Sequence, residues 1–131
     1  MIKYSEYEDL RKLLIGKKIV KWTTNELILE DGTRVSVECS EYDCCAYAGG
    51  TFKDIELDAI ITEITYPAIT KIPDDDTRVN EAKVVIYHNQ NPIAQLDAHA
   101  NAGNGGYYYS VCAFVVKEVD SDEKYYKIVS A

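Results

Sequence analysis

At Gly16 the apolar residues of this chain change their spacing from helical to alternating, so the sequence can satisfy both periods only with a short helix followed by sheet. Upstream, Tyr7, Leu10, Leu13 and Leu14 recur at helical spacing behind Ser5-Glu6-Tyr7-Glu8, the arrangement of a capping box with Ser5 as N-cap and Glu8 reaching back. Gly16 falls where a left-handed residue closes a helix. The spacing predicts an amphipathic helix over residues 6–15, laid across a sheet because so short a helix is marginal alone.

Downstream, Ile19, Val20 and Trp22, then Leu27, Ile28 and Leu29, then Val35, Val37 and Cys39 mark three strands. Asp31-Gly32 is a hairpin signal in which both central positions favour positive φ. Residues 18–39 therefore read as a meander, while residues 40–58 read as irregular, with Gly49-Gly50 a flexible pair. The β-branched run at 59–65 predicts a strand ended by Tyr66-Pro67, and two prolines with Asp74-Asp75-Asp76 predict an exposed loop over 67–80. Strands at 82–88 and 93–98 flank a four-residue turn, Asn89-Gln90-Asn91-Pro92. Residues 100–106 are the strongest loop signal, leading into a long strand over 107–119 that is apolar on both faces and so expected to be central. A last strand is expected at 124–129. The fold class is mainly β (α+β): an antiparallel sandwich or partly open barrel of seven or eight strands with one N-terminal helix, in a single domain over residues 1–131.

Composition narrows the functions open to such a scaffold. At 131 residues and 47% hydrophobic, the chain is long and apolar enough to fold on one core, which excludes wholesale disorder. No apolar run approaches the roughly 20 residues of a membrane span. Glu6, Glu8 and Asp9 interrupt any signal-peptide core, so the cytoplasm is the expected location. A net charge of -8 repels phosphate backbones, which argues against direct nucleic-acid binding through a broad basic face.

The ordered set Leu14-Ile15-Gly16-Lys17-Lys18-Ile19, Leu27-x-Leu29-x-Asp31-Gly32-Thr33, Cys44-Cys45-Ala46, the isoleucine strand at 60–64 and the Gly-rich loop before Tyr107-Tyr108-Tyr109 resembles a small family known mainly from phage and prophage genomes. That family carries a domain of unknown function. The resemblance covers residues 14–119, outside the helix, and brings no reaction and no catalytic residues. It implies an intracellular protein encoded by a phage or mobile element, an accessory rather than a virion part.

Several constellations could carry chemistry. Cys39, Cys44, Cys45, Cys112, His88 and His99 are soft enough for zinc, with Cys44, Cys45 and His88 the candidates, but the spacing lacks paired C-x₂₋₄-C knuckles and buried cysteine is the plainer reading. Without an export signal the cysteines are expected as reduced thiols, and neighbours in a strand would point to opposite faces. A thiol nucleophile at Cys44 or Cys45 faces Glu41 and Asp43, which disfavour a thiolate. The Gly-Asn loop lacks the Lys-Ser/Thr of a phosphate loop, yet Asn101 and Asn104 offer amides to a polar ligand. Tyr42, Tyr47, Tyr107 and Tyr108 resemble a recognition surface, with alternate tyrosines of the strand pointing away from the core. Asp43 and Asp74-Asp75-Asp76 add negative charge without EF-hand spacing.

The leading expectation is a non-enzymatic acidic binding protein, an inhibitor that occupies the basic nucleic-acid site of a host defence protein such as a nuclease, with no cofactor. The alternatives are an oligomeric sponge for a small nucleotide signal, with Arg34 or Arg78 near the phosphate, and a thiol- or zinc-dependent hydrolase.

Overall fold

A computed structural model describes residues 2–131. After the helix α1 (Tyr7–Leu14) come β1 (Ile19–Trp22), β2 (Glu26–Leu29), β3 (Arg34–Tyr42), β4 (Tyr47–Lys53), β5 (Glu63–Ile64), β6 (Ala68–Ile72), β7 (Val79–His88), β8 (Asn91–Asn101), the single 3₁₀ turn Asn104–Gly106, β9 (Ser110–Lys117) and β10 (Lys124–Ser130). Two antiparallel sheets form a sandwich and do not close into a barrel: β1-β2-β3-β9-β10 faces β4-β8-β7-β5, with β6 also on β7. Among the described residues no helix is long and apolar enough to cross a membrane.

The core lies where the inner faces meet. Val35, Val37, Phe114, Val116 and Ile128 come from one sheet, and Phe52, Val84, Ile86 and Leu96 from the other. Phe52 and Phe114 stack across the gap with ring centroids 6.3 Å apart. Strand β9 is central, as its two apolar faces predict, and residues 110–116 are all buried. Leu10 and Leu14 bury the inner stripe of α1, and Tyr7 closes that edge by donating to the Thr65 carbonyl at 2.8 Å.

Helix, meander and closing strand stand where the sequence puts them; other features differ. No side chain caps α1: Glu6 is the N-cap, and the Ser5 amide donates to the Tyr125 carbonyl because the preceding residues lie along β10. Glu8, free of the cap, binds Arg11 and Tyr66. Gly16 takes the left-handed conformation expected of it, with φ +94°. At the β2–β3 turn only Gly32 has positive φ, and the Asp31 carboxylate instead accepts the Thr33 amide at 3.0 Å.

Residues 40–58 are not irregular throughout, since β3 runs on to Tyr42 and β4 contains Gly49 and Gly50. Those glycines serve packing. A Cβ on Gly50 would sit 2.8 Å from the Asp97 carbonyl oxygen and 3.2 Å from Val37 of the facing sheet. The strand expected at 59–65 shrinks to β5 plus a bridge from Lys18 to Ile60. The loop expected over 67–80 holds β6 and the start of β7, leaving only Pro67 and residues 73–78 outside strands. Asn89 and Gln90, both at positive φ, make a two-residue turn, because Asn91 and Pro92 already belong to β8. Tyr107, Tyr108 and Tyr109 lie in the loop before β9, not on the strand, so alternation does not aim them.

Candidate functional site

The path of the chain builds the site. It passes from the first sheet to the second between β3 and β4, and returns between β8 and β9. Both crossings fall at the same end of the sandwich, where Tyr47 of β4 pairs with Asn101 of β8 and Tyr42 of β3 pairs with Ser110 of β9. The β6–β7 loop, residues 73–78, joins them there, since Val79 also pairs with Asn101. Three connections far apart in sequence thus meet as one loop end.

Hydrogen bonds hold them together. Ser110, fully buried, donates its hydroxyl to the Tyr47 carbonyl at 2.8 Å, lies 3.0 Å from the Asn101 carbonyl and accepts the Asn101 amide at 3.2 Å. The Asn101 carboxamide oxygen accepts from the Gly103 amide at 2.7 Å and from the Thr77 hydroxyl at 3.3 Å, while its nitrogen donates to the Tyr47 hydroxyl at 3.3 Å. The Ala102 amide donates to the Arg78 carbonyl, and the Gly105 amide to that of Asp76. Asp43 donates its amide to the Tyr109 carbonyl at 3.0 Å, which ties the β3–β4 turn to the same loop. Gly103, Gly105 and Gly106 all have positive φ, so the glycines let the loop fold back on its neighbours.

This end collects the acidic, tyrosine and asparagine binding residues singled out in the sequence, but not Arg34, which lies at the opposite end of β3 and pairs with Glu26. Tyr42, Asp43, Tyr47, Asp74, Asp75, Asp76, Asn104 and Tyr107 are exposed, Tyr107 at 88%, while Tyr108 and Asn101 are half-buried. Sequence reasoning missed Glu41 and Tyr109. Glu41 accepts from the Tyr4 hydroxyl at 2.7 Å and the Tyr109 hydroxyl at 3.1 Å, and no sequence pattern links such distant residues. Burial pushes Tyr4 up to about 12, and the hydrogen bond to Glu41 raises Tyr109, so both rings stay neutral near pH 7. Among the described residues, Glu41, Asp43, Asp74, Asp75 and Asp76 join no ion pair. Carboxylates are not confined to this end. Asp31, Glu26, Glu63 and Asp97 are each engaged by a lysine or arginine elsewhere on the molecule, whereas Glu30, Glu38, Asp54, Asp58 and Asp122, among others away from this end, join no ion pair either among the described residues.

The candidate metal ligands are not brought together. Cys44 and Cys45 occupy the β3–β4 turn, whereas His88 ends β7 at the opposite end of the second sheet, its Nδ1 2.7 Å from the Ile60 carbonyl. His99 projects from the outer face of the second sheet against the edge of Tyr47, ring centroids 5.8 Å apart. Cys39 and Cys112 face each other across β3 and β9, and burial pushes the Cys112 thiol up to about 12. Among the described residues no three His, Cys, Asp or Glu side chains are placed to hold a metal ion.

Two concavities flank the loop end. A groove of about 700 Å³ runs over the outer face of the second sheet, lined by Thr51, Thr70, Glu81, Lys83, Asp97 and His99. Another, of about 460 Å³, is lined by Lys71, Asp74, Thr77, Arg78 and Asn80.

Comparison with known proteins gives a family and no function. No curated protein and no solved structure matches the chain at a significant level. Residues 12–115, from the last turn of α1 into β9, match the family described as a domain of unknown function (DUF7448). The match spans both sheet crossings and every loop-end residue named above except Tyr4, and on that extent the chain belongs to the DUF7448 family.

Proposed function

We propose that this chain is a non-enzymatic binding protein of phage or mobile-element origin that occupies a basic surface of a host defence protein, such as the nucleic-acid groove of a nuclease. The observation that carries this reading is the loop end, where Glu41, Asp43, Asp74, Asp75 and Asp76, none of them in an ion pair among the described residues, share one end of the sandwich with the exposed Tyr42, Tyr47 and Tyr107. Arginine and lysine are recognised by that combination. A carboxylate takes the charge and the guanidinium hydrogens, and a tyrosine face takes the cation. Tyrosine also supplies large contact area at low entropic cost, as binding hot spots require. The net charge of -8 would steer a basic partner toward the molecule. The phage context rests on the sequence resemblance alone.

The reading is tested by competition. A basic nuclease titrated with the protein is expected to lose nucleic-acid binding in low salt and to recover it as salt rises. Equal inhibition at all ionic strengths, or none against a panel of such nucleases, overturns it.

A second reading has one observation in its favour. Lys71 and Arg78 line the smaller groove, Arg78 beside Gly106 of the Gly-rich loop, and neither joins an ion pair among the described residues. A small nucleotide would place its phosphate there. Asp74 in the same lining opposes that, so this reading stands second. A rise in melting temperature with cyclic nucleotides, lost in Arg78→Ala, would favour it over the first.

A further inference from the structure

Adjacent cysteines in a strand point to opposite faces, but Cys44 and Cys45 are not in a strand. They are the central residues of a turn closed by the Ala46 amide donating to the Asp43 carbonyl at 2.8 Å, with Cys44 at φ +32°. The turn swings both thiols to one side, where their sulfurs lie 3.2 Å apart and both residues are exposed. The other two cysteines are held elsewhere: Cys112 is buried in β9 and Cys39 lies opposite it on β3. We infer that Cys44 and Cys45 are a redox-active dithiol, a modification site that small-molecule disulfides oxidise to a disulfide closed across the shared peptide bond.

The chemistry is two thiol–disulfide exchanges. The Cys44 thiol gives its proton to water, and its thiolate attacks one sulfur of a small disulfide. That S–S bond breaks, and one thiolate leaves and takes up a proton. The Cys45 thiol then loses its proton and attacks the Cys44 sulfur, expelling the second small thiol. The two protein thiols lose two electrons and two protons, and the small disulfide becomes two thiols. Hydrogen bonding with Cys44 raises the Cys45 pKa. The second step is intramolecular between neighbouring sulfurs, so it outruns release of the mixed disulfide. Consecutive Cα atoms are about 3.8 Å apart, shorter than the roughly 4.4 Å minimum usual for disulfides, so the ring is strained and reopens in excess thiol.

The site bears on the loop end without depending on its having a partner. The neighbouring Cys44 thiol raises the Tyr108 pKa, and Gly103 packs so closely on this turn that a Cβ there would lie 3.1 Å from Cys45 backbone. Closing the ring therefore acts on the turn that holds Asp43 and on the loop that holds Gly103 and Tyr108.

The test is intact-mass spectrometry of the full chain incubated with oxidised glutathione. The wild-type protein is expected to become lighter by two hydrogens, with the bridge mapped to the Cys44–Cys45 peptide, no retained glutathione, and full reversal by dithiothreitol. Cys45→Ser is expected to trap glutathione on Cys44. Phenylarsine oxide, which loses its oxygen as water on bridging two close thiols, is expected to bind one per wild-type chain and none in Cys44→Ser or Cys45→Ser. A lasting glutathione adduct on the wild type, a bridge through Cys39, Cys112 or a second chain, or no reaction at all overturns the inference.

Discussion

The amide of Gly105 donates to the carbonyl of Asp76 at 2.6 Å, fastening the Gly-rich loop to the acidic loop. Gly105 reaches that carbonyl with φ +74°, and a Cβ there would meet the Tyr107 ring at 2.6 Å. Gly105→Ala is therefore expected to lower stability by about 1 kcal/mol or somewhat more in urea denaturation. It should also weaken binding to a basic partner by displacing the exposed Tyr107 ring. Unchanged binding in a folded variant would mean that the junction does not matter to recognition.

Ser110 is where the strand ends of both sheets meet. Its hydroxyl contacts Tyr47 and Asn101, and its backbone exchanges two hydrogen bonds with Ala131, each 3.1 Å long. Ser110→Ala leaves the Tyr47 carbonyl and Asn101 amide without that partner in a buried site, a loss of about 1–3 kcal/mol. Denaturant midpoints at constant slope would measure it. A change below half a kcal/mol would show that water replaces the hydroxyl.

Gly50→Ala probes the close approach of the sheets. The added methyl would press on the Asp97 carbonyl and on Val37, and overpacking of this kind costs about 1–3 kcal/mol. Gly49→Ala is its control, since a Cβ there meets only the edge of His99 at 3.6 Å. The two variants should separate clearly in thermal unfolding.

Asp31 sets part of the acid sensitivity. Desolvation would raise its pKa, but hydrogen bonds from Thr33 and Lys17 outweigh it and hold the carboxyl at about 2, below its ordinary 3.8. A depressed carboxyl contributes stability that is complete above its unfolded pKa and lost as pH falls through the folded one. Stability is thus expected to fall between about pH 4 and pH 2, and Asp31→Asn to flatten that part of the curve. Glu63, lowered chiefly by its hydrogen bond from Arg11, adds to the same loss, so Arg11→Met should flatten it further.

The parts of this fold that were legible from sequence are those in which local pattern and burial agree. Val35, Val37 and Cys39 alternate because one face of β3 meets the core, and the two apolar faces of β9 reflect a strand flanked by β3 and β10. The errors have physical causes. Ser5 has the spacing of a cap, but the backbone of residues 4 and 5 is claimed by β10. Strand β6 sits between Pro67 and Pro73, so flanking breakers hid a short pairing with β7. Gly49 and Gly50 looked flexible because composition cannot distinguish a glycine that permits motion from one that permits contact. Tyr107, Tyr108 and Tyr109 continue the apolar run of β9, yet the positive φ of Gly103, Gly105 and Gly106 turns them into the loop.

The candidate site was legible as a set of residues but not as a place. Tyr42, Asp74 and Asn101 had no sequence reason to share one end of the sandwich; the two crossings between sheets and the β6–β7 loop bring them there. Glu41 and Tyr109 escaped notice because their link is a long-range hydrogen bond.

The most direct measurement is the affinity of the protein for an arginine-rich polypeptide as a function of salt, with wild type beside a variant carrying Asp74→Asn, Asp75→Asn, Asp76→Asn and Tyr107→Ala. All four positions are exposed, so the variant should fold normally. Binding that weakens steeply with salt and falls at least about tenfold in the variant is the predicted result, since tenfold is about 1.4 kcal/mol and hot-spot side chains supply that much. Equal affinity of the two proteins would place recognition elsewhere on the sandwich and contradict the account.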